Sequence, residues 1–91
     1  MKILGFNYRI IKTNDSQYIG LHSADNLTIS IDGKLPKERQ IETMLHEFME
    51  AINTHTQLEL EHHKITTIAN VMYQILKDNG VNLNPLLREL K

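Results

Sequence analysis

Cysteine is absent from the chain, so neither disulfides nor thiolate metal sites can supply stability or chemistry. Any metal must then be held by histidine and carboxylate. Long apolar runs are missing too: none approaches the ~20 residues of a membrane span, and Met1-Lys2-Ile3-Leu4-Gly5-Phe6 is broken by Asn7 and Arg9 before it could form a signal-peptide core. These two absences lead to the expectation of a soluble, cytoplasmic protein without a membrane partner. Charge of one sign is also lacking. Ten Lys and Arg against eleven Asp and Glu leave a net charge of −1, which offers nucleic acid no electrostatic footprint. There is no repeat and no low-complexity tract.

What remains is 91 residues, 41 % of them hydrophobic, a composition that suits one domain over 1–91 with a single small core. From Leu4 to Ile10 the apolar Leu4, Phe6, Tyr8 and Ile10 alternate with Gly5, Asn7 and Arg9, the period of a strand with one buried face. A turn is expected at Thr13-Asn14-Asp15-Ser16. A second strand over Tyr18 to Ser23 would turn Ile19 and Leu21 inward. A third, Asn26 to Asp32, alternates Leu27, Ile29 and Ile31 with Thr28, Ser30 and Asp32. Short connections make these an antiparallel meander.

Asp32-Gly33 ends the sheet, and Pro36 suits the first turn of a helix, where its missing N–H is no loss. Ile41, Met44, Leu45, Phe48 and Ile52 then recur at helical spacing, predicting a helix over about 36–54. A polar connection follows. Ile65, Ile68, Ala69, Met72, Ile75 and Leu76 predict a second helix over about 62–79, stopped at Asn79-Gly80. Asn84-Pro85 opens a short final one. The expected fold is therefore α+β: a small three-stranded antiparallel sheet followed by two main helices and a short C-terminal helix.

The first helix carries Leu45-His46-Glu47-Phe48-Met49-Glu50. Residues four apart share a helix face, so His46 and Glu50 can aim at one atom, while Glu47 stands about 100° round the axis. That is the mechanical logic of the H-E-x-x-H zinc helix, in which two ligands flank a glutamate that activates water. Here the second ligand would be a carboxylate, which zinc accepts at ~2.0 to 2.2 Å. An anionic ligand costs some Lewis acidity.

A third ligand is available in Leu60-Glu61-His62-His63-Lys64. With His62 the set becomes two histidines and one glutamate, an attested catalytic zinc set. His63 and His55 compete for the same place, and His22, at a strand end, reads as surface. Tyr73 and Thr66 fall on the same helix as His62, and a tyrosine there could donate to a developing oxyanion. The plain alternative for His46 to Glu50 is a solvated helix edge. Met44, Phe48, Met49 and Met72 read as core filling.

Thr43-Met44-Leu45-His46-Glu47-Phe48-Met49-Glu50-Ala51-Ile52, then Leu60 to Ile65 and Asn70 to Asn79, resemble a group of very small zincin-like metallopeptidase-related proteins, many encoded by phages or prophages. In that group an L-H-E-x-x-H or L-H-E-x-x-E helix is followed by a ligand shortly before a second helix. The resemblance covers about half the chain closely. It implies a minimal zincin-like fold, Zn2+ as cofactor, His46, Glu50 and His62 as ligands, and Glu47 as general base. Its preference for His62 comes from the ligand standing three residues before Ile65. The departure is Glu50 where the peptidases have histidine.

Two expectations follow. One is a zinc-dependent metallohydrolase, a peptidase acting on a peptide or protein, with the strand at Asn26 to Asp32 aligning an extended substrate by edge pairing. The other is a catalytically inactive zincin-fold interaction module. With no second lobe to form a cleft, a homodimer could complete the site.

Overall fold

The computed structural model describes residues 1–14 and 17–91, so Asp15 and Ser16 of the expected turn lie outside the described residues. The first expected strand is not one strand. At Leu4 and Gly5 the backbone reverses with φ of 52° and 84°, the pair of positive values that a two-residue hairpin turn demands. This turn joins β1 (Lys2–Ile3) to β2 (Phe6–Asn7), and the chain starts again as β3 (Arg9–Thr13). The alternation from Leu4 to Ile10 thus runs across a turn. Of its four apolar members only Tyr8 and Ile10 are buried.

β4 (Gly20–Ser23) and β5 (Thr28–Asp32) complete a second sheet in the order β3-β5-β4. β5 pairs in parallel with β3, Ile29 opposite Ile10, and antiparallel with β4, Ile29 opposite His22. The expected single three-stranded antiparallel sheet is therefore corrected: the described residues form two sheets, and the larger is mixed. β5 is the strand whose Ile29 and Ile31 are completely buried, and burial on its face with pairing on both edges is the environment such a strand wants. β4, carrying glycine and histidine, is left at the edge.

The inward face of β4 is also the reverse of the expected one. Ile19 and Leu21 are each 50 % exposed, while Gly20 lies against Thr43 and Glu47, and His22 reaches the buried Tyr8. A shift of one residue in a strand exchanges its two faces.

α1 (Lys37–Thr56) lies across β4 and β5, and α2 (His62–Asp78) lies on α1. Pro36 is the residue that precedes α1 rather than its first helical position. Gln40 secures this start by donating from Nε2 to the Leu35 carbonyl at 2.7 Å and the Gly33 carbonyl at 3.3 Å. Ile41, Met44 and Ala51 form the buried side of α1, and Ile65, Ala69 and Tyr73 that of α2. Met44 is wholly buried, so truncation to alanine would cost about 2 to 5 kcal/mol. Met72, expected in the core, is 46 % exposed instead. The final helix is a 3-10 helix, Asn84–Glu89. Behind it Leu90 is buried and the Lys91 N–H donates to the Ile10 carbonyl. Among the described residues no helix is long and apolar enough to cross a membrane.

Candidate metal centre

His46 and Glu50 sit on one face of α1, one turn apart, as their spacing requires. His62 is the first residue of α2, and what brings it to them is the connection between the helices. α1 ends at Gln57 in the left-handed conformation, with φ of 56°. Asn53, still on α1, then clamps the returning chain: its Oδ1 accepts from the Leu60 N–H at 2.9 Å and its Nδ2 donates to the Leu60 carbonyl at 3.3 Å. Two residues later His62 arrives beside Glu50.

The result is a converging set of three donors. Glu50 Oε2 is 3.1 Å from His62 Nδ1 and 3.6 Å from His46 Nε2, and one atom from each residue lies within 4.8 Å of the other two. Four ligands held tetrahedrally at ~2.0 to 2.1 Å from zinc would be separated by about 3.3 Å. Those two edges straddle that value and the third, between the histidines, is no longer than 4.8 Å, so side-chain adjustment of the histidines would fit the three donors to one zinc-sized cation. Burial keeps the His46 imidazole below the usual histidine pKa, and the His62 ring nearby adds to this against the opposing pull of the Glu50 carboxylate. A neutral imidazole is the form that binds metal.

Glu47 is only 7 % exposed and lies about 100° round α1 from His46, toward the sheet, where its carboxylate lies close against Gly20. Burial, reinforced by the Glu50 charge and partly opposed by His62, pushes its carboxyl up to about 7. Side-chain bulk at position 20 would deny Glu47 this place: a Cβ there would stand 2.5 Å from Thr43 Cγ2 and 3.0 Å from Glu47 Oε2. Close approach of edge strand to helix is what the glycine permits.

A cleft of about 640 Å³ opens over the site between β4 and the two helices, lined in part by Tyr18, Gly20, Glu42, His46, Glu47 and His62. Thr66 joins its wall, as expected. Tyr73 does not: it is buried on the core side of α2. The other two candidate histidines have different neighbours. His63 pairs with Glu61 at 3.3 Å, and His55 is stacked on Phe6 with ring centroids 4.1 Å apart.

His55 and His22 belong to a group that the sequence reading missed. The buried hydroxyl of Tyr8 lies 2.8 Å from His22 Nε2 and 2.6 Å from His55 Nε2. One hydroxyl proton cannot serve both, so one imidazole accepts from Tyr8 and the other donates to it. His22 also lines a smaller cavity with His46, Glu47, Glu50 and His62. Burial and the His55 ring hold its pKa below the usual value, and the Glu50 charge opposes them. Burial likewise raises the Tyr8 phenol. The expectation of a surface His22 is therefore wrong. The available signal was its place two residues from Gly20 on the same strand face.

No family model, curated protein or solved structure matches the chain. The site stands on its own geometry.

Proposed function

We propose that the protein is a zinc-dependent hydrolase of peptide bonds, with His46, Glu50 and His62 holding the metal and Glu47 acting as general base. The observation that carries this reading is the convergence of three zinc-competent donors beside a buried carboxyl. A structural cation site has no use for such a neighbour. When bound, the metal would supply Lewis acidity, polarising a carbonyl and making water a better acid.

Glu47 is placed to do the proton work. A carboxylate held beside the metal can take a proton from attacking water and return it to the leaving amine. Its burial against Gly20 keeps that carboxylate in one orientation. The edge strand β4 takes over the role expected of Asn26 to Asp32, because β5 is paired on both sides. An extended peptide added to the free edge of β4 would run through the cleft past Glu47. His22, held from behind by Tyr8, stands on the same strand with Nδ1 free of hydrogen bonds among the described residues.

The contacts of the Glu50 carboxylate with an imidazole from each helix favour a second reading, in which the metal only ties α1 to α2 in a module without turnover. One experiment separates the two. Protein purified without tag or chelator is assayed for zinc by mass spectrometry and for cleavage of a peptide library. Wild type is expected to hold one zinc and to cleave, Glu47→Gln to hold zinc without cleaving, and Glu50→Ala to do neither. Zinc with no cleavage by wild type would leave the module; no zinc, even after dialysis against it, would remove both readings.

A further inference from the structure

α2 buries Ile65, Ala69 and Tyr73 and turns Thr66 and Asn70 to the cleft. Its remaining side is apolar and uncovered. Ile68, Val71, Met72 and Ile75 are 38, 51, 46 and 50 % exposed, a contiguous patch of the kind that marks an interaction site on a small domain.

The order of residues along that side says what covers it. Lys64, Ile68, Val71, Ile75 and Asp78 follow one another in steps of four, three, four and three, the seam spacing of paired helices. At 100° per residue all five fall within a strip roughly 80° wide. The strip is balanced about Val71, with one isoleucine on each side and a charge at each end, seven residues away. Those end charges are opposite. Lys64 and Asp78 also form no ion pair among the described residues.

We infer that a second copy of this chain covers the strip, its α2 packed antiparallel across a two-fold axis at Val71. Antiparallel pairing sets Lys64 of each copy opposite the partner's Asp78, so attraction occurs at both ends. The isoleucines interleave around the two Val71 side chains. Parallel pairing would instead set lysine against lysine and aspartate against aspartate, a register that the same charges oppose.

α2 has 17 residues and is therefore about 25 Å long. Two such helices in contact bury an area at the low end of specific interfaces, ~1,200 Å². An interface of this size belongs with the weak, reversible ones, so the dimer should exchange with monomer. Because the strip lies roughly 140° round α2 from Thr66 and Asn70, both clefts stay open. The inference is thus independent of the metal and of turnover.

Sedimentation equilibrium on the full chain, across the micromolar range, tests it. Wild type should dimerise, and Val71→Glu should be monomeric with an unchanged circular dichroism spectrum. Lys64→Asp should raise the dissociation constant about tenfold, and adding Asp78→Lys should restore it, since two facing pairs change sign and then recover. With no native cysteine, Val71→Cys places a single thiol at the axis and should form a disulfide dimer on mild oxidation, whereas Asn70→Cys should not. A wild type that stays monomeric throughout, a charge reversal that the second substitution fails to rescue, or equal cross-linking from positions 70 and 71 would each overturn the inference.

Discussion

Replacing Glu47 by glutamine should stabilise the metal-free protein at alkaline pH while removing its turnover. The carboxyl titrates at 4.5 in an unstructured chain and at about 7 in the fold. Below pH 4.5 both states hold the proton and Glu47 contributes nothing. Between 4.5 and about 7 the folded state keeps a proton that the unfolded chain has released, so stability falls as pH rises, and above about 7 the full penalty applies. The distance from 4.5 to about 7, at ~1.36 kcal/mol per pH unit, sets a ceiling of about 3 kcal/mol. The carboxylate borders an open cleft, and water there reduces the effect to about 1 to 3 kcal/mol.

Glutamine keeps the shape and loses the charge, so the variant should gain that amount at pH 8 and almost nothing at pH 4.5. For a domain of this size the gain is a rise in Tm of roughly 5 to 15 °C. His46 has the opposite dependence, because a histidine held below its usual pKa resists protonation in the fold and stability then rises with pH. Subtracting the variant's curve from the wild-type curve cancels that contribution. The assay is thermal unfolding of chelator-treated protein at several pH values, repeated with zinc added. A difference curve that is flat with pH, or a variant less stable than wild type at pH 8, would refute the placement of Glu47 as a buried carboxyl held near neutrality.

Gly20→Ala should destabilise the protein by about 1 to 3 kcal/mol through overlap with Thr43 and Glu47, and Thr43→Ala in the same chain should recover part of it, as read by Tm. Asn53→Ala should leave the helices intact by circular dichroism but weaken zinc binding about tenfold in calorimetry, since the Leu60 clamp that delivers His62 is lost. His62→Ala should lower zinc affinity by roughly a hundredfold while His63→Ala changes it little; equal losses would exchange their roles. Tyr8→Phe should cost about 1 to 3 kcal/mol in urea unfolding because it leaves two imidazole nitrogens without their partner.

The helices were legible because their information is local. Ile41, Met44 and Phe48, or Ile65, Ala69 and Leu76, carry a period that hardly depends on anything distant. The spacing of His46 and Glu50 inherits that reliability. The sheet was less legible, for two reasons that can be named. Leu4 and Gly5 form a turn inside a perfect alternation, and hydrophobicity alone does not distinguish Leu4 in a strand from Leu4 at φ of 52°. On β4, alternation chose Ile19 and Leu21 as the inward pair because they are apolar, yet the face toward α1 is where the polar site is built. There the rule that apolar residues point inward fails, as such rules do at functional sites.

That failure bears on the meaning of Glu50. A histidine at this position would leave Glu47 and the ligand set with one negative charge between them; Glu50 makes two. The second charge raises the Glu47 carboxyl further and opposes the burial that keeps His22 neutral, so Glu50 is electrostatically coupled to both polar groups flanking the cleft. A bound dication would cancel much of its charge, lowering Glu47 toward an ordinary carboxylate and freeing His22 to be neutral. In the loaded protein Glu47 would then be ionised near neutral pH, the state a general base needs, whereas in the metal-free protein it spends part of its time protonated. Under the proposed function, the carboxylate at position 50 would therefore make the general base depend on the metal for its charge, and an acidic limb of the turnover profile that moves to higher pH as zinc is withdrawn would be its signature.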